Sequence, residues 1–315
     1  MIPQEYVKAR SVLLDALDGL GAHRDAVVLV GAQAVYLHAG DADFVTAPTT
    51  TDADLALIPD RLADEPSIVD AMRAAGFVPG GQPGIWLGRG DIAVDLMAPE
   101  ALSGSAGRRS ADLRPPHDDK ATARRTFGLE PAIVDNEVHV ISSLDGDDHR
   151  SFDIKVAGPA ALIVSKVVKI AERREKPHRL KPKDGLDVLR LLRAVDTTRL
   201  ARDLTASASA RLSSAVVRLA VDELRVLAAR PEDLLPVLAA DARRASAIPM
   251  RSSCRWWHWS TTCSASSTAR NRHEPVEHAH PVGGSSSGRT ATAPAGSGRS
   301  RSSGAGSGGR RGPGR

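Results

Sequence analysis

The chain has 315 residues, 42% of them apolar, 3% aromatic and 25% charged, with a formal net charge of +4. That length fits one large or two ordinary domains, and so few aromatics require a core of Leu, Val, Ala and Ile. Ten arginines and two glutamates lie from residue 246 onward, which leaves 32 basic and 36 acidic residues in 1–245. The positive balance belongs to the tail, so it is no evidence that the folded part binds nucleic acid.

Both cysteines, Cys254 and Cys263, also lie in the tail, so no disulfide framework holds the body. The opening Met1-Ile2-Pro3-Gln4-Glu5 lacks a basic segment followed by an apolar run, unlike a secretory signal. No stretch approaches about 18 uninterrupted apolar residues. The expectation is a soluble, cytoplasmic protein without a membrane partner.

In chain order, apolar residues spaced near 3.6 predict a helix over 4–20, ended by Gly21. The run 26–30 predicts a buried strand, and Gly31 follows at once, before a helix over 32–39. Residues 41–51 read as a loop and 52–58 as the second strand. A helix is expected over 66–75. Short strands follow at 77–78 and 85–87, then a stronger one over 91–97. Residues 100–130 are polar and carry Arg108, Arg109, Arg114, Lys120, Arg124 and Arg125. They read as a long loop or an irregular insertion. Strands at 137–141 and 152–156 form a hairpin around Asp145-Gly146-Asp147-Asp148, which reads as a turn.

Near residue 158 the period changes. Helices are expected over 159–174, 183–194, 198–205, 212–228 and 231–244. The expected fold is α/β (α+β), a mixed sheet with flanking helices over 1–157 followed by a helical domain over 158–245. From 246, Ser, Gly, Arg, Ala and Pro dominate without apolar period, which predicts a disordered basic tail. Its Cys254-Arg255-Trp256-Trp257-His258-Trp259 run fits either a genuine tail or a shifted reading frame of a GC-rich gene.

Three apolar runs carry the chemistry. The first ends in Gly31, where backbone N–H groups at a helix start can approach a phosphate, although a glycine also serves simply to turn the chain. The second carries Asp52 and Asp54, two apart and hence on one strand face, about 6.6 Å apart at Cα. The third carries Asp95, which alone reads as a solvent-facing strand residue. Three converging carboxylates repel one another unless a cation joins them. Two divalent ions on shared carboxylates are a common apparatus for displacing phosphate groups.

On the helix over 159–174, Lys166, Lys169 and Arg173 share one stripe. Such a stripe is either a solvated face or, if unpaired, suited to a triphosphate or an RNA backbone. Asp184 opens the next helix as a cap or dipole partner, and Asp187 lies one turn on. The histidines show no useful cluster in the sequence, and His38 reads as a packed or capping residue. The tail's His258, His273, His278 and His280 with the two cysteines match no ordinary zinc-finger spacing.

Val30-Gly31-Ala32, Thr50-Thr51-Asp52-Ala53-Asp54-Leu55 and Val94-Asp95-Leu96, followed by Lys166, Lys169, Arg173, Asp184 and Asp187, carry a resemblance. Over about residues 20–195 the chain resembles the DNA polymerase β-like nucleotidyltransferase superfamily, and within it the AbiEii/AbiGii type of bacterial toxin domain. The resemblance implies a nucleotidyltransferase-like sheet and transfer of a nucleotide from an NTP, such as ATP, onto an acceptor, some members using RNA such as tRNA. It implies Mg2+ on Asp52, Asp54 and Asp95, with Lys169 and Asp184 completing the catalytic set. Nucleotide binding falls on Gly31, Ala32, Thr50, Lys166 and Arg173. A toxin role implies an antitoxin protein as partner. Ala32 departs from the Gly or Ser common at that place in the family. That departure favours an alternative, a non-catalytic nucleotide- or RNA-binding protein on the same fold. A small-molecule nucleotidyltransferase keeps the site and changes the acceptor.

Overall fold

Short runs of β-branched and leucine residues set the sheet. A computed structural model describes residues 2–40, 50–104 and 109–247, all within one compact unit. Its strands are β1 (Val27–Val30), β2 (Ala53–Leu57), β3 (Val78–Pro79), β4 (Ile85–Leu87), β5 (Ala93–Pro99), β6 (Arg124–Thr126), β7 (Asn136–Ser142) and β8 (Ser151–Ala157). They form one mixed sheet in the order β3-β4-β5-β2-β1-β8-β7, with β6 paired to β5. The centre is wholly apolar: all four residues of β1 are buried, as a strand covered on both faces requires.

Nine α-helices are described: α1 (Gln4–Gly19), α2 (Gly31–Ala39), α3 (Ile68–Ala74), α4 (Glu130–Val134), α5 (Pro159–Ala171), α6 (Pro182–Ala194), α7 (Thr197–Ser209), α8 (Ser214–Leu227) and α9 (Leu234–Ala247). Tyr6, Ala9, Val12, Leu13, Ala16 and Leu17 place one face of α1 in the core. Proline at the first turn starts α5 and α6, where its missing N–H costs nothing. None of the described helices is long and apolar enough to cross a membrane.

The architecture is α/β, with a mixed sheet, flanking helices and a helical second half. The seam at 158 is a change of secondary structure rather than a gap in packing. A single hydrophobic cluster runs from Val12 to Leu238, and α2 packs on both α5 and α6. The segment 100–130 is more ordered than a loop. It contributes β6 and leads into α4, and it is pinned to the body. Trp86 Nε1 donates to the Thr122 carbonyl at 3.3 Å, and Arg114 pairs with Asp64 at 2.7 Å. His117, fully buried, accepts from Ile68 N–H and bonds the Ala63 carbonyl. Most of the expected loop over 41–51 lies outside the described residues, as do Arg108 and the tail beyond α9.

Candidate functional site

The register of the central strands assembles the acids. β2 and β5 run parallel with Asp54 directly opposite Asp95, and β1 runs antiparallel to β2 with Val30 opposite Asp54. Gly31 therefore begins α2 beside the Asp54 carboxylate. Its φ is +70°, and a Cβ there would strike Asp54 Oδ2, Cγ and Cβ. Glycine is needed at this position for two separate reasons, a left-handed backbone and a close approach. Asp52 lies one residue before β2. Thr50 Oγ1 donates to Asp52 Oδ1 at 2.6 Å, and buried Gln33 donates to the Asp52 carbonyl at 3.1 Å.

Asp52, Asp54 and Asp95 are all half-buried, and they act on one another. Burial, then repulsion from Asp52 and Asp95, pushes the Asp54 carboxyl up to about 6. Burial also raises Asp95, which Asp52 pushes the same way; Arg124 opposes both by donating from Nη2 to Asp95 Oδ2 at 2.9 Å. Arg124 sits on β6, a strand in the segment that reads as a loop. Sequence reasoning missed it as a site residue, and no local pattern marks its pairing with β5.

The cationic stripe is not unpaired. Lys166 is 6% exposed, and its Nζ is 2.9 Å from Asp184 Oδ1 and 2.8 Å from Asp187 Oδ2. Lys169 Nζ reaches Asp184 Oδ1 at 3.0 Å, and Arg173 Nη1 lies 3.8 Å from Asp184 Oδ2. Arg190 adds a contact to Asp187 at 3.2 Å and stacks over the Tyr36 ring at 5.0 Å. Burial pulls the Lys166 ammonium down, but Asp187 and Asp184 together outweigh it and its pKa ends raised. At Asp184, Lys166 and Lys169 in turn overcome burial and hold the carboxyl at about 2. Three of the expected nucleotide contacts are thus engaged inside the protein: Lys166 with Asp184 and Asp187, Arg173 with Asp184, and the Thr50 hydroxyl with Asp52.

Lys169 joins the two groups of charges. It is half-buried, on Asp184 at one side and within the field of Asp54 on the other. Burial, then Lys166, lowers its pKa, while Asp184 and Asp54 oppose that change. Ala32 is buried, so only its backbone N–H is offered at the start of α2. Gly31, Asp52, Asp54, Asp95 and Lys169 come together; Asp184, Lys166 and Arg173 stand behind Lys169.

All three aspartates offer hard carboxylate oxygens, the donor type that Mg2+ selects. The trio is more open than the tightest group of potential ligands. Among the described residues, that group is His38, Glu137 and His139, with ligand atoms within 4.8 Å of one another. It was not foreseen, because His38 and His139 come from distant elements. The one available signal was Glu137 and His139 two apart on a strand. Comparison of the chain with protein-family models, with curated proteins and with solved structures gave no match.

Proposed function

We propose that this chain is a Mg2+-dependent nucleotidyltransferase, of the toxin-like kind its motifs resemble, moving a nucleotide from an NTP to an acceptor such as tRNA or another RNA. The observation that carries the reading is the in-register pair Asp54 and Asp95, with Asp52 alongside, next to a glycine that opens a helix. Asp52, Asp54 and Asp95 would hold the metal. When bound, the ion supplies Lewis-acid stabilisation of the charge that develops on the phosphates.

The chain's own residues do the rest. The first N–H groups of α2 face anionic phosphate with the positive end of the helix dipole. Lys169 is half-exposed and places its ammonium where charge grows on the leaving pyrophosphate. Asp184 holds Lys169 in place and is itself fixed by Lys166 and Arg173, so these three act behind Lys169 rather than on the nucleotide. Asp95 keeps its carboxylate oriented through Arg124, and its raised proton affinity suits it to accept the proton of the attacking hydroxyl. No covalent enzyme intermediate is required; positioning and electrostatics suffice.

Incubation of the full chain with labelled NTPs, Mg2+ and total RNA tests this. Label should pass to an acceptor with the wild type and fall by at least ~1,000-fold with Asp52→Ala, the loss typical of a group acting on transition-state charge. Transfer that survives Asp52→Ala unchanged sinks the reading. A second reading, a nucleotide- or RNA-binding protein without catalysis, is favoured by Ala32, which offers no hydroxyl at the helix start. Tight NTP binding with no transfer to RNA or any small acceptor would select it. An antitoxin partner remains part of the toxin-like proposal, to be sought by co-expression with a neighbouring small protein.

A further inference from the structure

Two histidines and a glutamate meet at the end of α2 away from Gly31. His38 lies in the last turn of that helix. Glu137 and His139 stand two apart on β7, the last strand of the sheet, so they project from one face. Val138 and Val140 on the opposite face are 64% and 62% exposed, whereas Ile141, in step with the pair, is fully buried. That side of β7 runs from buried Ile141 through half-buried His139 to Glu137, which is exposed at its rim. One nitrogen or oxygen from each of the three side chains lies within 4.8 Å of the other two.

Hydrogen bonds prepare these groups for a ligand. His38 Nε2 is 2.8 Å from the Ala157 carbonyl oxygen. A carbonyl only accepts, so Nε2 carries the hydrogen and Nδ1 keeps a lone pair. A metal-bound histidine usually places its second ring nitrogen on such an acceptor, which fixes tautomer and ring orientation. His139 Nε2 and Glu137 Oε1 are 3.1 Å apart. Two ligands at zinc distance and the tetrahedral angle stand about 3.3 Å apart. The pair already has nearly the separation that a shared ion requires. His38 and His139 meet edge to face, with ring centroids 5.3 Å apart, which keeps the third donor beside the pair.

Arg199 of α7 borders the cluster, 3.3 Å from Glu137 Oε1 and 3.5 Å from Asp203 Oδ2. With Asp203 as a second partner, its charge stays compensated when Glu137 turns to an ion.

We propose that His38, Glu137 and His139 form a site for a zinc-class divalent cation, which braces the end of α2 against the β7–β8 hairpin. Two imidazoles and one carboxylate are the ligand set of zinc rather than magnesium, and three protein ligands leave one coordination position open. The site does not depend on the nucleotidyltransferase reading.

The test uses the full chain, stripped with a chelator and titrated with Zn2+ by calorimetry, with Co2+ absorption as a second probe. Cysteine and histidine side chains of the tail are of a type that can also take such ions, so the readout is the difference between proteins. His38→Gln and His139→Gln should each bind one equivalent fewer than the wild type and lose part of the zinc-induced rise in melting temperature. Equal stoichiometry in all three proteins overturns the site. Hydrogen exchange on the wild type supplies the check that needs no variant. Zn2+ should slow exchange at residues 36–40 and 136–142. Unchanged exchange there, with zinc bound, places the ion in the tail and overturns the proposal as well.

Discussion

On α6, Asp184 and Asp187 are each 1% exposed, and each meets cations: Lys166 bridges both, with Lys169 and Arg173 on the first and Arg190 on the second. On β2 and β5, Asp54 and Asp95 are more open to water, yet they face each other and Asp52. Burial works in the same direction at both places. It is overcome at Asp184, which stays ionised down to about 2, and it is reinforced at Asp54, which rises to about 6. The sign of the neighbouring charge decides the outcome, not the depth. A fold that balances one set of acids and leaves another in mutual repulsion is spending stability at the second place, as binding and catalytic sites commonly do.

Breaking the balanced set should have the largest effect. Lys166→Met removes the one cation that both buried carboxylates share, leaving Asp184 to Lys169 and Arg173 and Asp187 to Arg190, and should destabilise the chain by about 3–5 kcal/mol in denaturant unfolding. Asp184→Asn with Asp187→Asn in the same background should recover part of that loss. If Lys166→Met unfolds at the wild-type midpoint, the network is not integral to the fold. Next in size is Gly31→Ala. The left-handed backbone alone costs about 1–3 kcal/mol, and the methyl also meets the Asp54 side chain. Asp54→Gly removes the second penalty and not the first, so the two changes together should cost less than their sum.

Asp54→Asn should act with the opposite sign. In chelator at pH 7 it removes a repelled charge and should stabilise by ~1 kcal/mol after solvent screening, and in a separate assay with Mg2+ nucleotide transfer should disappear. The pH dependence follows from the direction of the shift. The folded state holds the Asp54 proton up to about 6, against an ordinary value of 3.8. Folded protein therefore binds more protons than unfolded protein between those values, and this group's contribution to stability declines as pH rises through that window. Melting temperatures of wild type and Asp54→Asn in chelator, between pH 4 and 7, should diverge for that reason; parallel curves remove Asp54 as the source.

The smallest effect belongs to Arg124→Gln. The pair with Asp95 is partly exposed, with side-chain exposures of 31% and 19%, so stability should change by only about 0–1 kcal/mol. Asp95 should then hold its proton more tightly, and the acid limb of the transfer pH profile should move upward. A profile that does not move argues that Arg124 plays no part in orienting Asp95.

Much of this arrangement was legible before folding. The apolar runs at 26–30 and 52–58 stand as β1 and β2, the helix beginning at Pro159 is α5, and Gly31 sits where strand becomes helix. These features repeat at the backbone's own periods, so a short window carries them. α4 escaped because five residues hold barely one turn of pattern. β6 escaped because its three residues are half-buried and two of them are charged, and only pairing with β5 makes them a strand. The stripe of Lys166, Lys169 and Arg173 was visible on one helix, but its partners were not. Asp184 and Asp187 lie 18 and 21 residues from Lys166, on another helix, and a helical wheel cannot display them.

The residue pattern alone thus places Asp52 and Asp54 two apart at the start of a strand and a glycine where β1 gives way to α2, because alternation and turn chemistry are local. Packing across the whole molecule dictates that Asp95 stands opposite Asp54, that Arg124 reaches Asp95, and that His38 meets His139. Those juxtapositions depend on strand register and on helices docking over a shared core. Each of these is selected by the sum of many weak contacts between distant segments, and no short stretch of chain contains that sum.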